Sequence, residues 1–240
     1  MRNLRQVFSG IVVFGAGIFM LASCEVESDP VPFAAALDVV VQDMKTDSEV
    51  KYAIVVYASA NDEIKSVKVT APGTGGKVYE LTATASKLQF IYTPQAADYT
   101  TEFPATGDYS FEIISMNEDK ISGKDAVGAQ TLAPIVIKTT VLTNHLLKTT
   151  WDKVTGADAY VIRLYSDDKE ELLFNSTLLV DKAEFEFGTS TAGWTYGESP
   201  VVGTEYVVEL LGVRTEAGVT VDKWSNLQFI TLDSKTIEWE

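Results

Sequence analysis

The chain has 240 residues, 46% of them hydrophobic and 10% aromatic, so it is a packed globular protein and not a disordered or collagen-like one. Nineteen Lys and Arg stand against 34 Asp and Glu, a formal charge of −15, which argues against a nucleic-acid partner because phosphates need a basic surface. One Cys and one His exclude a disulfide framework and any zinc site built from several residues of both kinds within this chain.

Arg2 and Arg5 precede a stretch from Val7 to Ala22 that is apolar or small throughout, and no acidic residue comes before Glu25. The stretch is short for a membrane span, which needs about 20 residues, and suits the core of a signal peptide. It ends Leu21-Ala22-Ser23-Cys24, which resembles the lipobox of bacterial lipoproteins. The resemblance implies removal of residues 1–23 as a lipoprotein signal peptide and lipid (palmitate-type acyl chains) on Cys24. Attachment to the membrane then comes from those chains, since an anionic protein has no basic patch for headgroups. Glu25-Val26-Glu27-Ser28-Asp29-Pro30 resembles the surface-export signal of Bacteroidota lipoproteins, which implies a lipid-anchored protein exposed at the cell surface of the outer membrane. With Pro30 and Pro32, residues 24–32 read as an extended acidic tether.

Beyond the tether no segment carries a long 3.6-residue apolar repeat. The best helical candidate, Ala34 to Met44, contains Val39-Val40-Val41, a run better suited to a strand. Val67 and Val69 alternate with Ser66 and Lys68; Leu88, Phe90 and Tyr92 with Gln89 and Ile91; Tyr109, Phe111 and Ile113 with Ser110 and Glu112. Asn61-Asp62, Pro72-Gly73, Gly75-Gly76 and Thr106-Gly107-Asp108 punctuate these runs as turns. Alternation with period two predicts strands with one packed and one wet face, as in two antiparallel sheets laid together. Ala133 to Ile137 reads as a last strand or a stiff linker, and the pattern then restarts. Leu146 to Trp151 is the next predicted strand. Tyr160, Ile162 and Leu164 line one face of another, Phe185 and Phe187 alternate with Glu184 and Glu186, and Tyr206, Val208 and Leu210 alternate with their neighbours. Leu227 to Leu232 closes the set. The spacing predicts an all-β protein: two antiparallel β-sandwich domains in tandem, over 33–138 and 139–232, with 233–240 as a C-terminal tail.

From about Leu142 to Leu232 the chain resembles a fibronectin type III domain. Thr150-Trp151-Asp152 resembles that family's early strand with its core tryptophan, and Ala159 to Tyr165 its third strand. Gly203-Thr204-Glu205-Tyr206 resembles the tyrosine corner, in which the hydroxyl ties a sheet corner to nearby backbone. Val202 departs from the family's usual proline, and the stretch 188–202 is longer than its usual corner loop. Residues 33–138 are generically immunoglobulin-like. With the lipobox, the whole resembles the multi-sandwich surface lipoproteins of Bacteroidota, some of them glycan-binding partners of uptake systems and others adhesins.

Little in the sequence points to catalysis or to a cofactor. His145, beside Leu146 and Leu147, reads as the start of a strand, and no Gly-x-Ser-x-Gly elbow surrounds a serine. Asp167-Asp168-Lys169-Glu170-Glu171 and Asn117-Glu118-Asp119 read as charged loop tips without the alternating ligands and central Gly of an EF-hand, although calcium joined by separate loops would leave no local pattern. Trp151 reads as core. Trp194 and Tyr196 lie in the long Gly/Ser/Thr-rich loop, and Trp224 precedes the last predicted strand. Loop aromatics on a sandwich suit sugar stacking or the anchoring of a protein partner. These three residues are therefore the candidate ligand-binding patch. The alternatives are two separate sites, with Trp224 at the opposite end, or a Trp194 folded back to cap the sandwich. The expected function is a non-catalytic surface module for binding or cell adhesion that takes a glycan or protein partner; the alternative is a structural spacer or assembly subunit of an outer-membrane complex.

Overall fold

The computed structural model describes residues 31–46, 49–73, 75–195, 199–219 and 226–240. Cys24 and most of the tether lie outside them, as do Tyr196 and Trp224. Strands β1 (Ala35–Lys45) and β2 (Val50–Ala60) carry the β-branched runs Val39 to Val41 and Ile54 to Val56 and pair antiparallel from Ala35↔Ala60 to Lys45↔Val50. Then follow β3 (Ile64–Thr70), β4 (Val78–Glu80), β5 (Thr82–Ala83) and β6 (Gln89–Tyr92). Strands β7 (Gly107–Ser115) and β8 (Lys120–Val127) complete the first half. The second half runs through β9 (Ile137–Thr143), β10 (Leu146–Trp151), β11 (Ala159–Ser166) and β12 (Leu172–Asn175). It ends with β13 (Glu184–Gly188), β14 (Glu205–Thr215) and β15 (Leu227–Glu238).

Each half is a two-layered sandwich. In the first, β1-β2-β6-β5 packs on β4-β3-β7-β8; in the second, β13-β10-β9 packs on β12-β11-β14-β15. With β5 and β6 taken as one broken strand, both halves place their first, second and fifth strands in one sheet and the others in the facing sheet. The first half, generically immunoglobulin-like in sequence, therefore shares the strand order of the fibronectin type III-like half. Both corners are tied by tyrosine: the Tyr109 hydroxyl donates to the Ala105 carbonyl at 2.9 Å, and the Tyr206 hydroxyl accepts from the Val201 N–H at 2.8 Å.

The halves are fused and not merely strung in series. Strand β15 pairs in parallel with β1 through Val41↔Phe229 and Gln42↔Ile230, which joins one sheet of each sandwich into an eight-stranded sheet ordered β12-β11-β14-β15-β1-β2-β6-β5. Two carboxylates bracket this short seam. Asp38 accepts from the Asn226 N–H at 3.0 Å, and Asp43 accepts from the Leu232 N–H at 3.3 Å, so side chains take the β15 donors that the ladder misses. The connection 128–136 is sewn to the same strand: Ile135 N–H donates to Thr231 Oγ1 at 3.0 Å, and Ile137 N–H to Asp233 Oδ2 at 2.7 Å. Phe33–Glu240 consequently form one compact unit, with one sandwich and its core on each side of the restart of the strand pattern near 138.

The expected C-terminal tail, 233–240, is corrected. Strand β15 continues to Glu238, pairing Asp233 with Leu210 and Glu238 with Glu205, and Trp239 is 1% exposed. The polar pattern of those residues comes from a strand with one face toward solvent. His145 does not begin a strand either. Asn144 and His145 have φ of 52° and 60° and form the two-residue turn between β9 and β10, as the strand twist favours in such hairpins.

From Phe229 onward, past the bulge opposite Arg214 and Thr215, the odd positions of β15 face both covering sheets, with Phe229 in the first core and Ile237 against the second. The even positions face the other way, where Ile230 joins Val40, Val161, Leu211 and Val213 in a third buried cluster. The large sheet is therefore apolar on both faces at its centre. Coiling, the usual fate of a wide twisted sheet, brings Tyr57 of β2 onto that third cluster from across the seam.

Candidate binding site

The coiled face forms a half-open cavity of about 400 Å³ between strands of the two halves. Its first wall comes from β1, β2 and β6, through Asp38, Tyr57, Ser59 and Gln89. The opposite wall comes from β11 and β12, through Arg163, Leu172 and Asn175, with Asn226 and Leu227 at the entry to β15. Alternation explains the placement: Val161 and Arg163 share the face of β11 opposite Tyr160 and Ile162, so a strand that fills the second core also reaches the cavity. Leu227 is buried at its base, whereas Ser59, Gln89 and Asn226 are exposed at its mouth.

Arg163 is the best-held polar group. Its Nε donates to Asn175 Oδ1 at 3.1 Å, and its Nη1 lies 3.5 Å from the Tyr165 hydroxyl and 3.8 Å from Glu209 Oε2. Glu209 is 7% exposed and also faces Lys169 Nζ at 3.4 Å, so the turn between β11 and β12 reaches back over the sheet to share its charge. Charge is thus balanced beneath the cavity, as burial of ions demands. Burial pushes the Tyr57 hydroxyl above the usual phenol range, with Arg163 pulling the other way, which keeps the ring neutral.

Asp38 behaves differently. Burial, with Asp125 and Glu216 nearby, raises its carboxyl from the ordinary 3.8 to about 6, against the two β15 N–H groups that favour its charge. At the other end of the seam, burial also lifts Asp43 to about 6, outweighing the Thr231 hydroxyl and the Leu232 N–H. Both folded values exceed the unfolded one, so between pH 3.8 and 6 the folded chain holds protons that the unfolded chain has released. Stability therefore rises as the pH falls from 7 towards about 5. We expect the melting temperature to be higher at pH 5.5 than at pH 7.5, and Asp38→Asn with Asp43→Asn to flatten the rise. A melting temperature that fell monotonically on acidification would refute the assignment.

Of the residues expected to bind ligand, only Trp194 is described, and it packs inward. Its indole Nε1 donates to the Gly188 carbonyl at 3.0 Å, and its ring meets Phe174 edge-on at 5.2 Å and Trp239 at 6.3 Å. Trp194 thus takes the folded-back position, half-buried against the second core. The cause is backbone pairing: Asn175 N–H donates to the Gly193 carbonyl and Thr195 N–H to the Leu173 carbonyl, so the long loop zips along β12 and covers the open edge of the large sheet. Gly193 permits this with φ of +125°, since a Cβ there would lie 2.5 Å from the Asn175 carbonyl oxygen. Tyr196 and Trp224 fall outside the described residues.

The cavity residues escaped sequence reasoning because no strand contributes more than three of them. The available signal was apolar occupancy of both faces in Val39 to Val41, Val207-Val208 and Leu210-Leu211, interrupted by a charged Arg163 and Glu209.

No protein-family model matches the sequence, and no curated protein does. Among solved structures, a two-domain fibronectin type III segment of chicken tenascin is similar at 12% identity over 84% of this chain and 97% of that one, with a TM-score of 0.30.

Proposed function

We propose that this chain is a lipid-anchored surface module that captures a ligand in the cavity between its two fused sandwiches. The observation that carries the reading is the cavity itself: about 400 Å³, within the usual range for small-ligand sites, apolar at the base and ringed by polar groups. The Leu21-Ala22-Ser23-Cys24 box supports attachment through Cys24, and the acidic tether that follows supports export to the outer face of an outer membrane, as in the Bacteroidota lipoproteins it resembles. No step of chemistry is assigned to the site, and the module is read as non-catalytic.

One experiment tests both parts. Full-length protein is expressed with metabolic acyl labelling as wild type, Cys24→Ala and Ser59→Trp, the last placing a large ring in the cavity mouth. We expect Cys24→Ala to lose the label and leave the membrane fraction. Solubilised wild type is expected to be retained on an array of glycans or of surface proteins, and Ser59→Trp to lose that retention. Persistent labelling of Cys24→Ala would overturn the anchor, and equal retention of Ser59→Trp would overturn the site. Eight strands hydrogen-bonded in one sheet would also make a stiff spacer, the reading favoured if wild type is retained by neither array.

A further inference from the structure

We propose that the cavity binds one neutral, hydroxyl-rich ring, the size of a single hexose unit of a glycan. The inference rests on the reading of this chain as a binding module and assigns the class of its ligand.

Hydrogen-bonding capacity points to hydroxyls. Asn175 spends its Oδ1 on Arg163, and its amide N–H groups have no protein partner among the described residues. The Ser59 hydroxyl and the Gln89 and Asn226 amides at the mouth are likewise uncommitted to other described side chains. Amides and hydroxyls offer donors and acceptors together, which is what a ring of hydroxyls requires, each being both. A carboxylate or phosphate would need donors alone.

Charge excludes the ionic alternatives. The Arg163 guanidinium is answered by Glu209 beside it on the neighbouring strand, and the Asp38 carboxylate stands in the opposite wall, so an anion meets no net positive field. The chain as a whole, at −15, would also repel one. A cation finds Glu209 already shared between Arg163 and Lys169 and Asp38 already accepting β15 N–H groups. Shape agrees with a ring that is apolar on one face. The half-buried Tyr57 and Ile91 offer flat and branched apolar surface on the first wall, while polar groups stand around the rim. A volume of about 400 Å³ holds one such ring with water, and the exposed mouth leaves room for the rest of a chain.

The test uses detergent-solubilised full-length protein and ligand-observed NMR against methyl hexopyranosides, glucuronic acid and glucosamine. We expect a neutral hexoside to bind, the acid and amine to bind at least about tenfold more weakly, and Asn175→Ala and Tyr57→Leu to weaken the neutral ligand by about tenfold. Gln89→Ala, at the exposed mouth, leaves the core untouched and is expected to weaken it several-fold, so the test survives misfolding of the other variants. Tighter binding of the acid or amine, lost in Ser59→Trp, would overturn the ligand class while leaving the binding site in place. Binding of neutral hexosides indifferent to all of these substitutions, or none at all, would overturn the proposal.

Discussion

Replacing Trp239 by Ala is expected to cost about 3–5 kcal/mol, the range for emptying a large aromatic site in a core. For a unit of this size that is a drop of roughly 6–20 °C in melting temperature. Trp239 lies one residue beyond β15, yet it closes the second sandwich from below. Its ring meets Tyr206 and Trp194 edge-on, its N–H donates to the Thr204 carbonyl at 2.9 Å, and its carbonyl accepts from Gly203 at 2.7 Å. The tyrosine corner, the corner loop and the chain's final residues thus share one plug. Chemical denaturation followed by circular dichroism measures the loss; a shift below about 1 kcal/mol would show that the site collapses around the gap. Truncation after 232, where the strand pattern suggests the fold ends, is expected to leave no cooperative transition.

Phe229→Ala is expected to have a comparable cost, but its effect should cross between sandwiches. Phe229 belongs by sequence to the second half and by packing to the first, where it is fully buried, stacked on Phe103 at 6.4 Å and edge-on to Tyr52. All four tryptophans lie beyond residue 138, so tryptophan fluorescence reports the second half. In independent domains, a void in the first core would leave that signal's midpoint in place. With a shared sheet, we expect the fluorescence and circular dichroism midpoints to fall together, each reporting a loss of about 3–5 kcal/mol. Separation of the two transitions would contradict the coupling.

Local pattern made the strands legible and left their assembly unread. Leu146 to Trp151 is bounded in the structure as its alternation suggests, and Tyr206 holds a corner as its Gly203-Thr204-Glu205 context suggests. Those features depend on neighbours in sequence. The seam depends on Asp38 meeting Asn226, 188 positions away, through a ladder so short that no run of residues encodes it. Its trace is compositional: a sandwich strand with one wet face has no use for three consecutive valines, and Val39 to Val41 are all fully buried because the sheet is covered on both sides. The place of Trp194 was hidden for a related reason. A loop rich in Gly, Ser and Thr suggests exposure, but an uncovered β12 edge offers it a row of backbone partners. The cavity has no linear signature, since Asp38, Tyr57, Gln89, Arg163 and Asn175 come from five strands and converge only when the sheet coils.

The parallel seam also sets the order in which the chain can fold. Strand β1 is synthesised long before its partner β15. Contacts this distant in sequence carry a large loop-closure cost and form late. Until then the first sandwich lacks Phe229 in its core and offers the bare flank of β1, a strand edge with apolar residues on both sides. A half-made chain is thus open to pairing with strangers during the interval before β15 arrives, and closure of the seam ends that exposure.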